Sequence, residues 1–381
     1  MLALTFLFLK KEVKVFNQLY LLFAHYDVSA NICQQNYVRC SYIYFEEEQM
    51  NHKSTLADVA HESGVSAITV SRYLRSPEKV AKLTGEKIKS AIDRLGYVPN
   101  LAAQALASSS SNVIGVLIPS LSNAVFSDVV TGLYEALQGT PYNIQFAHTS
   151  YSENEEEQAI RTFRAQNPAA LIIAGVDQTK VSRQLLEDLN CPVVQIMDMC
   201  EEPIDSIIGF SHFNAAKDAI EKLIFLGHKK IAFMGARMDP RTQKRLLGYK
   251  EAMSQAGLLD ESLINTNKEH SSLALGAAML SNLLDKKTNF DAIFCNNDDL
   301  AIGALFECNR RGISVPTDLG ICGFNNFAMS EAAYPKISTV ETHRYEMGKL
   351  AGEHILKRLK NPSTPPIKLD LGFNFLHRAS L

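Results

Sequence analysis

The chain has 381 residues, of which 46% are hydrophobic and 21% charged, values typical of a globular protein with room for two or three domains. No apolar run is long enough to span a bilayer, so we expect no membrane partner. The net charge of −3 is unevenly spread: residues 51–107 carry eight Lys/Arg against five Asp/Glu, and residues 108–381 carry 26 against 31. A small basic module ahead of a larger acidic one is typical of a nucleic-acid reader joined to a second function.

The seven cysteines, at positions 33, 40, 191, 200, 295, 308 and 322, are scattered and include no C-x-x-C pair. Two of them stand inside the apolar runs AIFC and GICGF. We therefore expect reduced, buried thiols in a cytoplasmic protein, with no zinc site and no cofactor.

Residues 1–49 form an atypical extension. They begin apolar, in MLALTFLFL, and become basic only afterwards, the reverse of a secretory signal, and no small-residue cleavage site follows. We expect synthesis to begin at Met50, which would make 1–49 an over-extended reading frame that is not translated. A true accessory segment is the alternative.

Residues 55–75, TLADVAHESGVSAITVSRYLR, contain two short helical patterns joined by a turn. Thr55 and Asp58 have the spacing of a capping box, which favours the start of a helix. Gly64 is suited to the left-handed conformation that ends this helix, and Ser66 is a good N-cap for a second helix beginning at Ala67. The spacing predicts a helix-turn-helix unit, with a plain helical hairpin as the alternative.

The second of these helices has two different faces. Val70, Tyr73 and Leu74 lie on one side and are suited to packing on the first helix. The other side has no acidic residue and carries Ala67, Ile68, Ser71, Arg72 and Arg75. Arginine can bind guanine through two hydrogen bonds, and apolar groups can contact a thymine methyl, so this face is suited to the major groove of DNA.

A third helical pattern opens at Thr84 and closes at Gly96, which predicts a compact three-helix headpiece over residues 50–98. Leu101–Ala107 (LAAQALA) favours helix but is too short to be stable alone in water. The serine run at 108–111 is typical of a flexible connector. We expect residues 99–112 to form a hinge helix and linker that become helical only when held by a partner.

From Val113 onward, short buried strands alternate with helical stretches. Strands are predicted at 113–118, 144–147, 171–174, 193–196, 231–234, 264–266, 292–295 and 319–324. Helices are predicted at 123–138, 153–166, 179–190, 214–226, 241–256, 272–285 and 298–311. This alternation predicts two lobes with parallel sheets over residues 113–381, and a ligand bound where the carboxyl ends of the strands face the cleft.

Six phrases of the sequence, in this order, resemble the lactose-repressor family of bacterial transcription regulators. They are TLADVAHESGVSAITVSRYLR, GYVPNLAAQALA, IGVLIPSLSN, LGHKKIAFMGA, FCNNDDLAIGALFECNRRGISVPTDLGICGF and ISTVET. The resemblance implies an N-terminal all-α helix-turn-helix headpiece with a hinge helix, then a two-lobed α/β domain like a periplasmic binding protein. It also implies a homodimer, usually a repressor, that reads a palindromic operator and responds to a small effector.

The resemblance implies roles for individual residues of the DNA-binding part. Ala67, Ile68, Ser71 and Arg72 occupy the base-reading positions of the recognition helix. Leu106 occupies the position of a leucine that inserts in the minor groove, where an apolar wedge can unstack a base step. The full set of expected DNA contacts is Thr55, Ser66, Ala67, Ile68, Thr69, Ser71, Arg72, Asn100, Ala103 and Leu106.

The resemblance also implies a set of effector contacts, namely Ser120, Asn123, Phe126, His148, Asp198, Arg241, Arg245, Asn297 and Asn325. Arginine offers a planar fork for a carboxylate, while Asn and Asp pair with hydroxyls, so we expect a sugar acid such as gluconate. Arg245 is favoured over Arg241 as the carboxylate partner. Many sugar-binding members carry aspartate where Asn325 stands, and a neutral amide suits an anionic ligand. Asp298 and Asp299 are interpreted as helix-start residues rather than metal ligands.

Two other classes of protein are alternatives at this point. A doubly wound fold is compatible with an enzyme, but the sequence has no Walker loop, no nucleophile elbow and no zinc-ligand spacing, so we assign no catalytic residue. A solute-binding sensor would share the two lobes, although the export signal is missing and the headpiece would have no purpose.

Overall fold

The computed structural model describes residues 54–99, 111–286 and 288–381. The chain divides into two compact units, residues 1–100 and residues 101–381. Within the described ranges, no helix is long and apolar enough to cross a membrane. The extension 1–49 and the expected hinge helix at 101–107 lie outside the described residues.

Three helices and one tight turn make up the described part of the first unit: α1 (Leu56–Ser63), α2 (Ala67–Arg75), the 3-10 turn Pro77–Lys79 and α3 (Lys82–Leu95). The backbone N–H of Thr55 donates to Asp58 Oδ2 at 2.8 Å, and that of Asp58 donates to Thr55 Oγ1 at 3.3 Å, which forms the predicted capping box. Gly64 has a φ of 68° and ends α1. The Ser66 hydroxyl caps α2 by accepting from the backbone N–H of Thr69.

A small apolar core holds the three helices together, and its fully buried members are Val59, Val70, Ile88 and Ala91. The prediction for the start of α3 was wrong by two residues, because the helix begins at Lys82 and not at Thr84. Ala81 occupies the N-cap position with no side-chain cap, so the capping preference of threonine does not decide where the helix begins.

The second unit contains strands in two parallel sheets and one antiparallel pair. The strands are β1 (Val113–Ile118), β2 (Asn143–His148), β3 (Ala170–Ala174), β4 (Val193–Ile196), β5 (Ser206–Gly209), β6 (Ile231–Gly235), β7 (Ile264–Thr266), β8 (Ala292–Cys295), β9 (Gly320–Cys322), β10 (Thr339–Glu341), β11 (Lys368–Asp370) and β12 (Asn374–Leu376). The first lobe is built on the sheet β11-β5-β4-β3-β1-β2, and the second lobe on the sheet β7-β6-β8-β9. β10 and β12 pair antiparallel.

Helices connect and cover these strands. They are α4 (Val125–Leu137), α5 (Glu153–Ala165), α6 (Lys180–Glu187), α7 (His212–Phe225), α8 (Pro240–Gln255), α9 (Leu273–Asp285), α10 (Asp298–Arg311), α11 (Ala328–Ala332) and α12 (Arg344–Lys360). Each strand and helix expected between residues 113 and 324 is present, with ends within three residues of the prediction. The periodicity of short buried strands and amphipathic helices is therefore sufficient to predict most of the secondary structure of this unit.

The sequence pattern did not reveal that the chain returns to the first lobe after residue 341. α12 packs against α4, and β11 pairs with β5 at the edge of the first sheet. The backbones of the two helices are in direct contact. A Cβ at Gly132 or Gly348 would collide with a carbonyl oxygen of the other helix, so only glycine fits at these positions. α12 was not predicted because its buried face includes Gly348, Gly352, Arg344 and His354, which interrupt the apolar pattern.

The cysteines of the described residues are free thiols. Cys295, Cys308 and Cys322 are buried, as expected, whereas Cys191 and Cys200 are only partly buried. Burial raises the pKa of the Cys308 thiol to about 12, which keeps it in the unreactive protonated form.

Candidate ligand-binding cleft and nucleic-acid interface

The outward face of α2 is accessible to a partner. Ala67, Ile68, Arg72 and Arg75 are exposed, and Ser71 is partly buried. Ile68 is 70% exposed, although an isoleucine normally avoids water. An exposed apolar group beside two arginines, with no acid on the helix, is a surface suited to nucleic acid.

The other expected DNA contacts of the described headpiece lie at helix starts. Thr55 is the N-cap of α1, and Ser66 is the N-cap of α2. The Thr69 hydroxyl lies 2.9 Å from that of Ser66, so both take part in the same cap. Asn100, Ala103 and Leu106 lie outside the described residues.

A polar cleft lies between the two lobes of the second unit, with about 50 Å³ of free space. Its walls come from the loops and helix starts that follow β1, β2 and β4 in the first lobe and β6, β7, β8 and β9 in the second. Carboxyl ends of parallel strands are the usual place for a ligand in such folds. The lining residues are Asn123, Val125, Phe126, Tyr151, Met197, Ala236, Arg237, Asp239, Arg241, Thr242, Arg245, Ser271, Asn296, Asn297 and Asn325.

Six of the nine expected effector contacts lie together in this lining: Asn123, Phe126, Arg241, Arg245, Asn297 and Asn325. The structure does not bring the other three into it. The Ser120 hydroxyl accepts from the backbone of Asn123, and the exposed His148 lies near Ser150. Asp198 is buried and bonded at 2.6 Å to Lys244, across the lobes.

The Asn325 amide is the clearest sign of a ligand in the cleft. Asn325 is 1% exposed, and neither its Oδ1 nor its Nδ2 has a hydrogen-bond partner among the described residues. Its backbone is held at a φ of 105° by a hydrogen bond from its N–H to the Val340 carbonyl. A buried amide normally finds partners, so a polar ligand is the natural partner here.

Arg245 is a buried cation whose nearest contacts are neutral. Its Nε donates to His212 Nδ1 at 3.2 Å, its Nη1 donates to the Asn296 carbonyl, and its guanidinium lies 3.8 Å from the centre of the Phe324 ring. Within the described part of the chain, no carboxylate lies at salt-bridge distance. Burial lowers the pKa of Arg245 to about 10, so the group is still charged at neutral pH.

His212 accepts the hydrogen bond from Arg245 because its imidazole is neutral. Its Nε2 lies 2.8 Å from the Met197 carbonyl, which requires the proton on Nε2 and leaves Nδ1 to accept from Arg245. Burial, and after it the charge of Arg245, holds the pKa of His212 well below its ordinary value.

Arg241 lies one helical turn before Arg245 on α8 and is also buried. Its nearest carboxylate, Asp239, is 3.8 Å away, and its Nη1 has no hydrogen-bond partner in the described ranges. Burial lowers the pKa of Arg241, but Asp239 and the other acids near it outweigh this, so the net pKa is raised. The cleft therefore holds two permanent cations and one donor aimed at no protein group.

Comparison with known proteins decides the family. Residues 55–100 match the model of bacterial regulatory proteins of the lacI family, and residues 220–381 match a periplasmic binding protein-like domain. The chain is 37% identical over 321 residues to the HTH-type transcriptional regulator GntR of Escherichia coli strain K12, covering 84% of this chain and 96% of the relative. The chain belongs to the lacI family of bacterial regulatory proteins.

Two further similarities agree with this assignment. The HTH-type transcriptional regulator IdnR of the same strain is 32% identical over 335 residues, covering 87% of this chain and 99% of the relative. A crystal structure of a lacI-family regulator from Silicibacter pomeroyi has a TM-score of 0.81 at 34% identity and covers 86% of this chain and 99% of that one. This lacI-family chain is a DNA-binding transcriptional regulator and not an enzyme.

Several cleft residues of this lacI-family regulator were missed by the sequence analysis. Tyr151 and Arg237 line the cleft and face each other across it. Asn296 donates to Thr242 Oγ1 at 2.9 Å and to the Ala236 carbonyl at 3.3 Å, which fixes the start of α8 against β8. The available signal was position, because each of these residues follows closely after a predicted strand.

The first lobe also contains a carboxyl group with a raised pKa, that of Glu156. Glu156, in the first turn of α5, is partly buried. Burial raises its pKa to about 7, and the nearby charge of Asp177 adds to this, while Gln178 and Arg241 act in the opposite direction.

Glu156→Gln should change how stability depends on pH. The wild-type carboxyl keeps its proton when folded up to about pH 7 but loses it near 4.5 when unfolded, so the wild type loses stability as the pH rises across that interval. Relative to the wild type, the variant should gain stability from about pH 4.5 to 7, with no further gain above. Urea unfolding from pH 4.5 to 8 measures this. The exposed Glu155→Gln is the control, and an equal trend in it, or a constant difference for Glu156→Gln, contradicts the prediction.

Proposed function

We propose that this regulator is a cytoplasmic, homodimeric repressor of genes for sugar-acid utilisation. Its effector is gluconate or a related hexonate, bound in the cleft between the lobes. The observation that carries the proposal is the pair of buried arginines, Arg241 and Arg245, beside the Asn325 amide, which has no hydrogen-bond partner in the described ranges. Among the described residues, Arg245 has no carboxylate at salt-bridge distance, and Arg241 keeps one nitrogen, Nη1, without a hydrogen-bond partner, so the pair favours an anionic ligand.

The contacts support different roles for Arg241, Arg245 and Asn325 in binding the effector. Arg241 binds the carboxylate of the effector, because its Nη1 has no hydrogen-bond partner among the residues that the structure describes. This reverses the order expected from the sequence, since Arg245 already donates to His212 and to a backbone carbonyl. Arg245 adds charge, and the amide of Asn325 supplies one donor and one acceptor to sugar hydroxyls.

Gluconate is supported by resemblance as well as by chemistry. The phrases ARMDPRTQKRLLGYKEAM, NNDDLAIGALFEC and LDLGFNF resemble the repressor of the gluconate operon, in agreement with the similarity to the regulator named GntR. A neutral amide at Asn325 avoids the repulsion that an aspartate would exert on an anionic ligand.

We assign DNA reading to the headpiece at 50–98, with Ala67, Ile68, Ser71 and Arg72 on base edges. Residues 99–112 form the hinge and linker, in which Leu106 wedges a base step of the minor groove. Residues 113–381 bind the effector and dimerise, so that two headpieces read a palindromic operator. Residues 1–49 are an atypical extension outside this scheme.

Effector binding releases DNA by favouring the arrangement of lobes that does not fit the operator. A ligand with equal affinity for both arrangements would shift nothing, so gluconate must bind more tightly to the released form. Closure of the cleft moves the first lobe against the second, and in a dimer this changes the separation of the two hinge segments.

Isothermal titration calorimetry of the full chain tests the effector directly. Gluconate should bind, whereas glucose, which has the hydroxyls but no carboxylate, should not. Binding of glucose with equal affinity would contradict the anionic pocket, and no heat with gluconate would refute this choice of effector.

Arg241→Gln should weaken gluconate binding by roughly 2–5 kcal/mol, because it removes one member of a buried charge pair. Asn325→Asp should also weaken it, through repulsion between carboxylates. Arg161→Gln is a matched control, because Arg161 lies on α5 and pairs with Glu157 at 2.7 Å at the surface. Wild-type affinity in the Arg241 variant would remove it as the carboxylate partner.

Arg72→Ala should weaken operator binding by roughly 1–3 kcal/mol and reduce the preference for operator over random DNA. Fluorescence anisotropy with both DNAs measures the two effects. Arg94→Ala is the control, because Arg94 belongs to the same headpiece but pairs with Glu62 at 3.2 Å. An unchanged ratio of operator to random affinity in Arg72→Ala would refute base reading by this residue.

A further inference from the structure

A stacked pair of side chains joins the two lobes across the cleft. The guanidinium carbon of Arg237 lies 3.9 Å from the centre of the Tyr151 ring, and that of Arg241 lies 5.8 Å from the same centre. Tyr151 follows β2 of the first lobe, and Arg237 follows β6 of the second. Both are partly exposed, whereas Arg241 and Asn325 are buried, so the stack lies on the solvent side of the ligand-binding groups.

Each partner of the stack is held in place by its own lobe. Asn123 Nδ2 donates to the Tyr151 hydroxyl at 3.1 Å, and the backbone N–H of Arg237 donates to the Glu269 carbonyl at 2.8 Å. Tyr151 and Arg237 have φ values of 60° and 65°. This left-handed conformation is disfavoured for residues with side chains and persists where surrounding contacts hold it.

The cleft behind the stack is too small for the proposed effector. Its free space of about 50 Å³ holds a few water molecules, so a six-carbon acid enters only when the lobes or their loops part. Parting the lobes separates Tyr151 from Arg237, because the two residues stand on opposite sides. Arg241 faces the same ring, so a carboxylate that binds Arg241 arrives next to the stack.

We propose that the Arg237–Tyr151 stack is the gate of the effector cleft. It opens to admit the effector and closes again over it, and it thereby sets the rates of entry and exit. The gate rests on the proposed function for its ligand, but the contact between Arg237 and Tyr151 is itself an observation of the structure. The stack can therefore be tested separately from the effector.

The first test uses the absence of tryptophan from the chain. Tyr151→Trp introduces one indole that keeps the stack, because tryptophan is the best ring for a cation. Acrylamide quenching of its fluorescence, without ligand, reports how often the gate opens. Adding Arg237→Gln should raise the quenching constant by about 2-fold or more, since the cation–π contact is lost. Adding the surface control Arg161→Gln should leave it unchanged. Equal quenching with and without Arg237 would overturn the gate.

The second test measures gluconate binding by stopped flow in the chain with its natural Tyr151. In Arg237→Gln, the association and dissociation rates should both rise by roughly 2- to 30-fold, the range that loss of a cation–π contact implies. The equilibrium affinity should change less, because the stack is closed both before and after binding. Unchanged rates would overturn the gate. If the wild type does not bind gluconate, the choice of effector fails, and the quenching test alone decides whether the stack closes the cleft.

Discussion

The burial of two guanidinium groups one helical turn apart is the constraint on which the cleft depends. Removing a cation from water is unfavourable unless polar or aromatic groups replace the lost solvent. Around Arg245 the protein supplies a neutral imidazole, a backbone carbonyl and the face of Phe324. Around Arg241 it supplies Asp239 at 3.8 Å and the ring of Tyr151, whose centre lies 5.8 Å from the guanidinium carbon. Both groups therefore stay charged inside the cleft, and the organic anion that we propose as effector would complete the site.

The same constraint links the ligand to the relative position of the lobes. His212 must stay neutral to accept from Arg245, and its other nitrogen donates to the carbonyl of Met197, which follows β4 of the first lobe. Lys244, on the same helix as the two arginines, bonds Asp198 of the first lobe. α8 is thus connected to both lobes through polar contacts, so a charge that binds to its arginines acts on their separation.

The parts of the fold that were predictable are those whose signals are local. The capping box at Thr55, the left-handed Gly64 and the N-cap Ser66 specify the headpiece within a few neighbouring residues. The cleft was only partly predictable, because the direction of a loop depends on tertiary contacts. Arg241 and Asn325 line the cleft, whereas His148 is exposed and is not part of the lining. Tyr151 and Arg237 each follow a predicted strand, but nothing local in the sequence shows that their side chains meet across the cleft.

α12 illustrates a second reason for failure. A helix that packs backbone to backbone needs small residues such as Gly348, and these lower the helix propensity from which a sequence prediction starts. The buried Arg344 at its start donates to Asp128 of α4 at 2.6 Å, so a charge occupies a position where a pattern expects an apolar residue. Close packing and charge pairs of this kind depend on residues that are far apart in the sequence, so a local sequence pattern does not predict them.

The central claim, that an anion in the cleft controls DNA binding, is tested most directly by operator affinity with and without gluconate. A labelled operator, selected from random DNA with the full chain, would be titrated by anisotropy in buffer, in gluconate and in glucose. We expect gluconate to lower operator affinity by roughly 5- to 150-fold, the usual range of allosteric coupling, and glucose to have no effect. Equal operator affinity in all three solutions, or an equal effect of glucose, would contradict it.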